Sequence, residues 1–328
     1  MNERRNCFEI LIGFILAASV VPVVAQDVPF PKRSNLEITV LFPAGTSADV
    51  TARVLAQGMT KQLGVNVLVA NRPGAGGAIG YKYVASQKPD GYTLVWNSNS
   101  ISTTYHSGQL PFDYKAFDPV ARVLLESVVV AVRSEAKWKT LKELIADAKA
   151  RPDAITVANS GVGSHTHISS VALFKTAAVQ VTDVPYAAAQ IVPNLMGGHV
   201  DAAVQFPGAL AANVQGGRLR LLAVLATQRD PTFPDVPTAR ELGVDVALDA
   251  WRGIAVPKGT PQPVIAALER AIRETVESPE FAASSEKLYV RPGFLPAGEF
   301  GKVIAAEDAY LARIMEQVGL KQPAGTKQ

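Results

Sequence analysis

The sequence predicts an α/β protein in two halves, each a mainly parallel sheet flanked by helices. Three observations carry that prediction. Strand, glycine-bearing loop and helix alternate from Leu36 to Trp96, the order of a sheet covered on both faces. The alternation restarts near Thr140. The chain of 328 residues has room for two domains, each able to bury its own core.

The first segment reads as an address. Arg4 and Arg5 precede an uncharged apolar run, Ile10 to Ala25, which ends Val23-Val24-Ala25 before Gln26. Basic, apolar and small-residue stretches in that order make a secretory signal peptide with cleavage after Ala25. A permanent anchor is the alternative, but the run is short for a span of about 20 residues. Residues 1–25 are therefore expected to direct export to the periplasm and to be removed. Cys7, the one cysteine, goes with them.

Leu36, Ile38, Val40 and Phe42 alternate with Glu37, Thr39 and Leu41, a strand buried mainly on one face. Pro43 to Ser47 breaks it, and Val50, Val54, Leu55, Met59 and Leu63 recur at helical spacing. A second strand, Val65 to Ala70, leads into Pro73-Gly74-Ala75-Gly76-Gly77 and a short helix, Ala78 to Ser86. Pro89-Asp90-Gly91 turns the chain into a third strand, Tyr92 to Trp96, which ends in Asn97-Ser98-Asn99-Ser100.

In the second half, Thr140 and Glu143 form a capping box for a helix to about Ala150. Ala154 to Ala158 is a strand, broken by Asn159 to Ser164 before a helix through Ile168, Val171, Ala172 and Lys175. Strands follow at Val181 to Val184, Val200 to Gln205 and Leu219 to Leu225, and another begins at Ile254. Thr260 as N-cap and Pro261 at the first helical position open a helix to Glu277. Helices at Pro279 to Leu288 and Gly298 to Val318 complete the chain.

Composition narrows the function. Thirty-two Lys and Arg against 29 Asp and Glu leave a net charge of +3, too even for the concentrated basic face that nucleic acid requires. One cysteine excludes a disulfide framework and a cysteine zinc site, and four histidines leave little for a metal centre. Gly74, Gly76 and Gly80 imitate a dinucleotide fingerprint, but Ile79 stands where the third glycine belongs, and no acid follows at the required distance. A structural loop is the better reading, and no cofactor is expected. His165 and His167 fall at a helix start and point apart. Ser164-His165 lacks an orienting acid, so hydrolysis has no support. His165 is better read as a neutral imidazole at a cleft edge, donating to ligand or water. Arg53, Arg72 and Arg122 read as surface or sheet-edge charges.

The units Ile38 to Ala56 and Ile155 to Thr176 each aim a helix N-terminus out of the carboxyl edge of a strand. Such an end offers unpaired N–H groups and about half a positive charge. Two facing each other across a cleft would clamp a small carboxylate with almost no basic side chain; each loop alone could equally be a tight connection. Phe42 and Tyr186, at predicted strand ends, are candidates for apolar pocket walls, with core packing the competing role. For Phe206 core packing is the better reading. Asn97 and Ser98 close a third strand edge and are expected polar contacts.

The ordered series Phe42-Pro43-Ala44-Gly45 through Asp49 and Arg53, Asn71 to Gly77, Pro89 to Leu94, Gly161 to Ser164, Val184-Pro185-Tyr186, Gly197 to Asp201, Pro234 to Thr238 and Pro257 to Pro261 resembles the Bug-type periplasmic solute-binding receptors of tripartite tricarboxylate transporters. The resemblance covers essentially the whole mature chain. It implies a two-lobed Venus-flytrap fold, with lobe one from residues 27–130 plus 252–328 and lobe two from 131–251. It implies a monomeric, non-enzymatic receptor that closes on a small organic acid and passes it to membrane permease subunits; docking on a sensor-kinase ectodomain is the alternative. Members of the family hold the ligand carboxylate between the two strand-edge loops. Here that implies Ala44, Gly45, Thr46, Ser47 and Asp49 facing Gly161, Gly163, Ser164 and His165. Three departures bear on the ligand. Thr46 replaces a common second glycine, Ala187-Ala188 follow Tyr186 where a basic residue or glycine is usual, and Gln205 stands where Asp is frequent. The last two point to a ligand whose far end is partly apolar.

Overall fold

The computed structural model describes residues 30–32, 34–317 and 319–322; the expected export segment, 1–25, lies outside the described residues. In chain order the elements are β1 (Leu36–Val40), α1 (Ser47–Leu63), β2 (Val67–Asn71), α2 (Ala78–Ala85), β3 (Thr93–Ser98), α3 (Ser100–His106), β4 (Phe117–Ser127), β5 (Val129–Arg133) and α4 (Leu141–Ala150). Then come β6 (Thr156–Asn159), α5 (His165–Thr176), β7 (Thr182–Pro185), α6 (Ile191–Met196), β8 (Ala202–Gln205), α7 (Pro207–Gln215) and β9 (Leu219–Val224). The last are β10 (Asp249–Pro257), α8 (Gln262–Val276), α9 (Pro279–Leu288), β11 (Arg291–Pro296) and α10 (Ala297–Gln317).

Local signals set most boundaries. Leu36, Ile38 and Val40 are wholly buried along β1. The α1 helix starts at Thr46, whose hydroxyl accepts from the Asp49 N–H, and ends at left-handed Gly64. Its Ala52, Leu55 and Met59 face the sheet core. Thr140 caps α4 through the Glu143 N–H, but the Glu143 carboxylate reaches back one residue further, to the Lys139 N–H. The cap of α8 falls one residue later than the predicted Thr260, because Pro261 holds the extended N-cap conformation and the Thr260 hydroxyl donates to the Pro257 carbonyl.

Two sheets form two lobes. Lobe one orders β11-β4-β10-β3-β1-β2 and lobe two β7-β6-β8-β5-β9. Within each, the strand–helix units pair in parallel (β1 with β2 and β3; β6 with β7 and β8), whereas the strands adjoining the crossovers, β4, β10 and β5, pair antiparallel. The sheets are thus mixed, because a chain that crosses between lobes and returns enters each sheet from both directions. The crossovers are bonded side by side, with the Leu225 N–H on the Val128 carbonyl and the Leu248 N–H on the Leu225 carbonyl. Helix α10 straddles both lobes: Phe300 and Ile304 enter a lobe-one core, and Leu311 enters the lobe-two core.

Candidate functional site

Between the lobes lies a cavity of about 210 Å³, suited to a molecule smaller than the drug-sized ligands of larger clefts. Lobe one contributes Phe42, Ala44 to Ala48, Ser98 to Ser100, and Ala250 to Arg252. Lobe two contributes Ser160, Ser164 to Thr166, Ala188, Ala189, Val192, Gln205, Phe206 and Ala209.

The first turns of α1 and α5 face this space with matching construction. The Thr46 hydroxyl takes the Asp49 N–H at 3.4 Å, and the Ser164 hydroxyl takes the His167 N–H at 3.2 Å. Each cap satisfies the third residue of its helix. That leaves the Ser47 and Ala48 N–H groups on one side, and those of His165 and Thr166 on the other, with no intrahelical acceptor. All four residues line the cavity. The field at each end is positive, so a carboxylate between them is met by fixed donors from both lobes.

Side chains brace this frame. Asp49 is buried and accepts from the Gly45 N–H at 2.9 Å and the Asn71 amide at 3.0 Å, with Arg53 at 2.8 Å. Burial opposes its charge, but the Arg53, Gly45 and Asn71 bonds together hold its carboxyl below the usual range. Gln205 donates to the Ser160 hydroxyl at 3.1 Å and accepts from the Phe206 N–H at 2.8 Å, which spends both ends of its amide. Asn99 donates to the Asp249 carbonyl and to Glu307, and accepts from the Trp251 N–H. Glu307 also accepts from the Trp251 indole. The one charged side chain in the lining, Arg252, pairs through Nε with buried Glu126, which also accepts from the Ser47 hydroxyl.

His165 lies parallel to Phe206, ring centroids 6.3 Å apart. Burial, offset in part by the Leu248 bond, pushes its pKa down to about 4, so the ring is neutral at pH 7. Its Nε2 is 3.0 Å from the Leu248 carbonyl; a carbonyl only accepts, so Nε2 carries the proton and Nδ1 is left as an acceptor. The expected donation to ligand is thereby corrected: this ring's N–H is committed to the second crossover. One consequence is acid sensitivity. Between about pH 6.5 and 4 the unfolded chain takes up a proton that folded His165 refuses, so stability is lost as pH falls through that window. Relative to wild type, a His165→Gln variant should gain in Tm as pH falls over the same range.

Of the residues singled out in the sequence, Phe42, Ala44, Gly45, Thr46, Ser47, Ser98, Ser164, His165 and Gln205 meet around the cavity. Asp49 stands behind the first loop. The Asn97 side chain turns away, accepting from the Tyr81 hydroxyl at 2.8 Å. Gly161 and Tyr186 line an adjoining outer recess of about 600 Å³, which shares Phe42, Ser160 and Ala188 with the main cavity. The Gly163 N–H bonds His167 Nδ1. Phe206 packs against the lobe-two core, as expected, and also lines the cavity; sequence reasoning missed Trp251 and Arg252, because no local pattern ties them to the loops. Arg53, Arg72 and Arg122 do not line the cavity.

The cleft is closed along two seams. On one, Gln109 donates to the Val162 carbonyl at 3.1 Å, and a Cβ on Gly76 would sit 3.1 Å from that same oxygen and 3.3 Å from the Gly163 carbonyl carbon. On the other, a Cβ on Gly208 would sit 2.7 Å from the Leu288 carbonyl oxygen. The glycine-rich loop that imitated a nucleotide motif is thus the lobe-one side of a backbone-to-backbone contact.

Among the described residues no helix is long and apolar enough to cross a membrane, and no group of three or more His, Cys, Asp or Glu could hold a metal. The family model described as tripartite tricarboxylate transporter family receptor matches residues 51–320. BugT of Bordetella pertussis is 32% identical over 327 residues, covering 98% of this chain and 99% of its own. The solved periplasmic binding protein BugD superposes with a TM-score of 0.83 at 28% identity, over 90% of this chain and all of its own. Two Rhodopseudomonas palustris proteins are similar: one solved with adipate (TM-score 0.84, 25% identity, 88% of this chain, 98% of its own) and MatC with bound malate (0.80, 27%, 87% and 99%). The chain therefore belongs to the tripartite tricarboxylate transporter receptor family, and is a periplasmic solute-binding receptor rather than an enzyme.

Proposed function

We propose that this receptor captures a small organic acid in the interlobe cavity and delivers it to the permease subunits of a tripartite transporter. The observation that carries the reading is the pair of facing helix N-termini, Ser47-Ala48 and His165-Thr166, each with two N–H groups lacking an intrahelical acceptor. Adipate and malate in the two R. palustris relatives support a carboxylate. In this reading the expected bounds, 27–130 plus 252–328 and 131–251, shift by a few residues: β5 (Val129–Arg133) belongs to lobe two and β10 (Asp249–Pro257) to lobe one, so the lobes part between Ser127 and Val129 and between Leu248 and Asp249, bending at the crossovers. The ligand touches both lobes only when they are closed, and so favours the closed state. Residues 1–25 serve export, and the mature chain works as a monomer. Ala188, Ala189 and Val192 supply an apolar wall.

A thermal-shift screen of the chain from Gln26 against di-, tri- and aromatic carboxylates, amino acids and neutral compounds tests this. At about 100 times Kd a ligand adds about 2.7 kcal/mol, which raises Tm by roughly 5 °C or more at this size. A selective rise with an acid is expected. A rise with a neutral compound alone would overturn the carboxylate reading. So would a silent screen on protein whose cleft denaturing mass spectrometry finds empty.

A further inference from the structure

The cavity holds one buried charge whose donors are only partly used. Arg252, 3% exposed, sits on β10 just past the second crossover and lines the cavity. Its Nε bonds Glu126, at the end of β4 just before the first crossover. Glu126 has a donor on each oxygen, Arg252 on one and the Ser47 hydroxyl on the other. The two terminal amino groups of Arg252 have no partner among the described residues. Phe206 of lobe two covers the guanidinium, its centroid 5.1 Å from Cζ.

A guanidinium has five N–H donors in a rigid plane. With Nε committed to Glu126, the edge that remains is the one bearing both terminal nitrogens, the geometry that takes a carboxylate through two parallel bonds. Neither terminal nitrogen is both buried and unpartnered, so both open onto the cavity, where a ligand can reach them. We propose that Arg252 is the specificity fork of this receptor: held in place by Glu126, it receives an ionised carboxylate of the ligand end-on, through its two terminal nitrogens, next to the α1 N-terminus. Ser47 ties the two together, because its backbone N–H belongs to the first turn and its hydroxyl bonds the same Glu126. The inference deepens the carboxylate reading and rests on it. It adds that the acid is recognised as an anion, so its amide is refused even when size and shape match. Phe206 closes over the guanidinium from the other lobe, so the fork is gripped from both lobes when the cleft is shut.

The test compares wild type, Arg252→Lys and the doubly neutral Glu126→Gln/Arg252→Gln chain by titration calorimetry. The probes are adipate, malate, benzoate and other acids that shift wild-type Tm, each with its monoamide. Lysine keeps a charge beside Glu126, so the fold survives, but it is a point charge without a planar fork. The expected result is a loss of about 30-fold or more in acid affinity in Arg252→Lys, with amide binding little changed, so that the acid-to-amide ratio collapses. The doubly neutral chain, which leaves no unpaired charge, should show the same collapse. Wild-type acid affinity in Arg252→Lys, or equal losses for acid and amide, would reduce Arg252 to wall packing and overturn the proposal. If wild type binds no acid at all, the carboxylate reading itself falls and takes this inference with it.

Discussion

Gly76→Ala should weaken ligand binding by roughly 10- to 100-fold while leaving each lobe folded, equivalent to about 1.4–2.8 kcal/mol against closure. The added Cβ would press on the Val162 carbonyl oxygen, the Gly163 carbonyl carbon and Thr104 Cγ2. Two of these are backbone atoms and cannot rotate aside. Gly76 also has a φ of 63°, so alanine there adds about 1 kcal/mol of local strain. Gly64→Ala separates the two effects, since Gly64 has a φ of 68° and open space around its Cβ. Both variants should lose similar stability, but only Gly76→Ala should lose affinity. Gly208→Ala makes the same wedge at the opposite seam. There the glycine lies inside α7 with ordinary backbone angles, so alanine favours the helix while it pries the cleft. Small-angle scattering with saturating ligand should report a more open particle for Gly76→Ala and Gly208→Ala, and wild-type dimensions for Gly64→Ala. Unchanged affinity in both seam variants would mean that the closed form does not depend on these contacts.

Glu307→Gln should abolish a stability slope between about pH 4.5 and 8. Burial drives the Glu307 carboxyl up to about 8, against the pull of the Trp251 and Asn99 hydrogen bonds; the Asp249 charge raises it further and Arg122 lowers it. Below pH 4.5 folded and unfolded chains both hold this proton. Above it the unfolded chain releases the proton and the folded one does not, so stability declines until about pH 8 and then levels. A gap of that width amounts to a few kcal/mol, about 5 at most. The measurement is Tm against pH for both chains: wild type should fall relative to Glu307→Gln across the window, and in absolute terms between about pH 6.5 and 8, where the opposing His165 slope has ended. Because Asn99 and Trp251 line the cavity and both bond Glu307, ligand affinity in wild type should decline above pH 8 as well. Parallel Tm profiles would remove Glu307 from the pH response.

The legible parts of this chain are those whose signals are local. Alternation marks β1, the Thr140 cap marks α4, and Pro279 to Leu288 was read as it stands in α9. The two cavity-facing loops were legible for the same reason, since a glycine break followed by a hydroxyl cap is written in consecutive residues. Other elements carry no such signal. The Ser- and Thr-rich α3 has no apolar stripe, and α7 opens on Pro207-Gly208. Pro292 and Pro296 argue against a strand, yet β11 exists as an edge strand whose register breaks between Pro292 and Leu295. Arg252 and Glu126 are 126 residues apart in sequence and meet only because both crossovers run side by side. No spacing rule could join them.

In the proposed reading the carboxylate is held by four first-turn N–H groups of the main chain, and this makes the grip hard to lose by mutation. Any side chain at positions 47, 48, 165 or 166 leaves the donor in place; only proline removes it. The walls are the opposite case, since Ala188, Ala189 and Val192 can change size or polarity without touching a donor. On the proposed reading, a lineage built on this frame can drift from one acid to another through wall substitutions alone, with an acid-binding intermediate at every step.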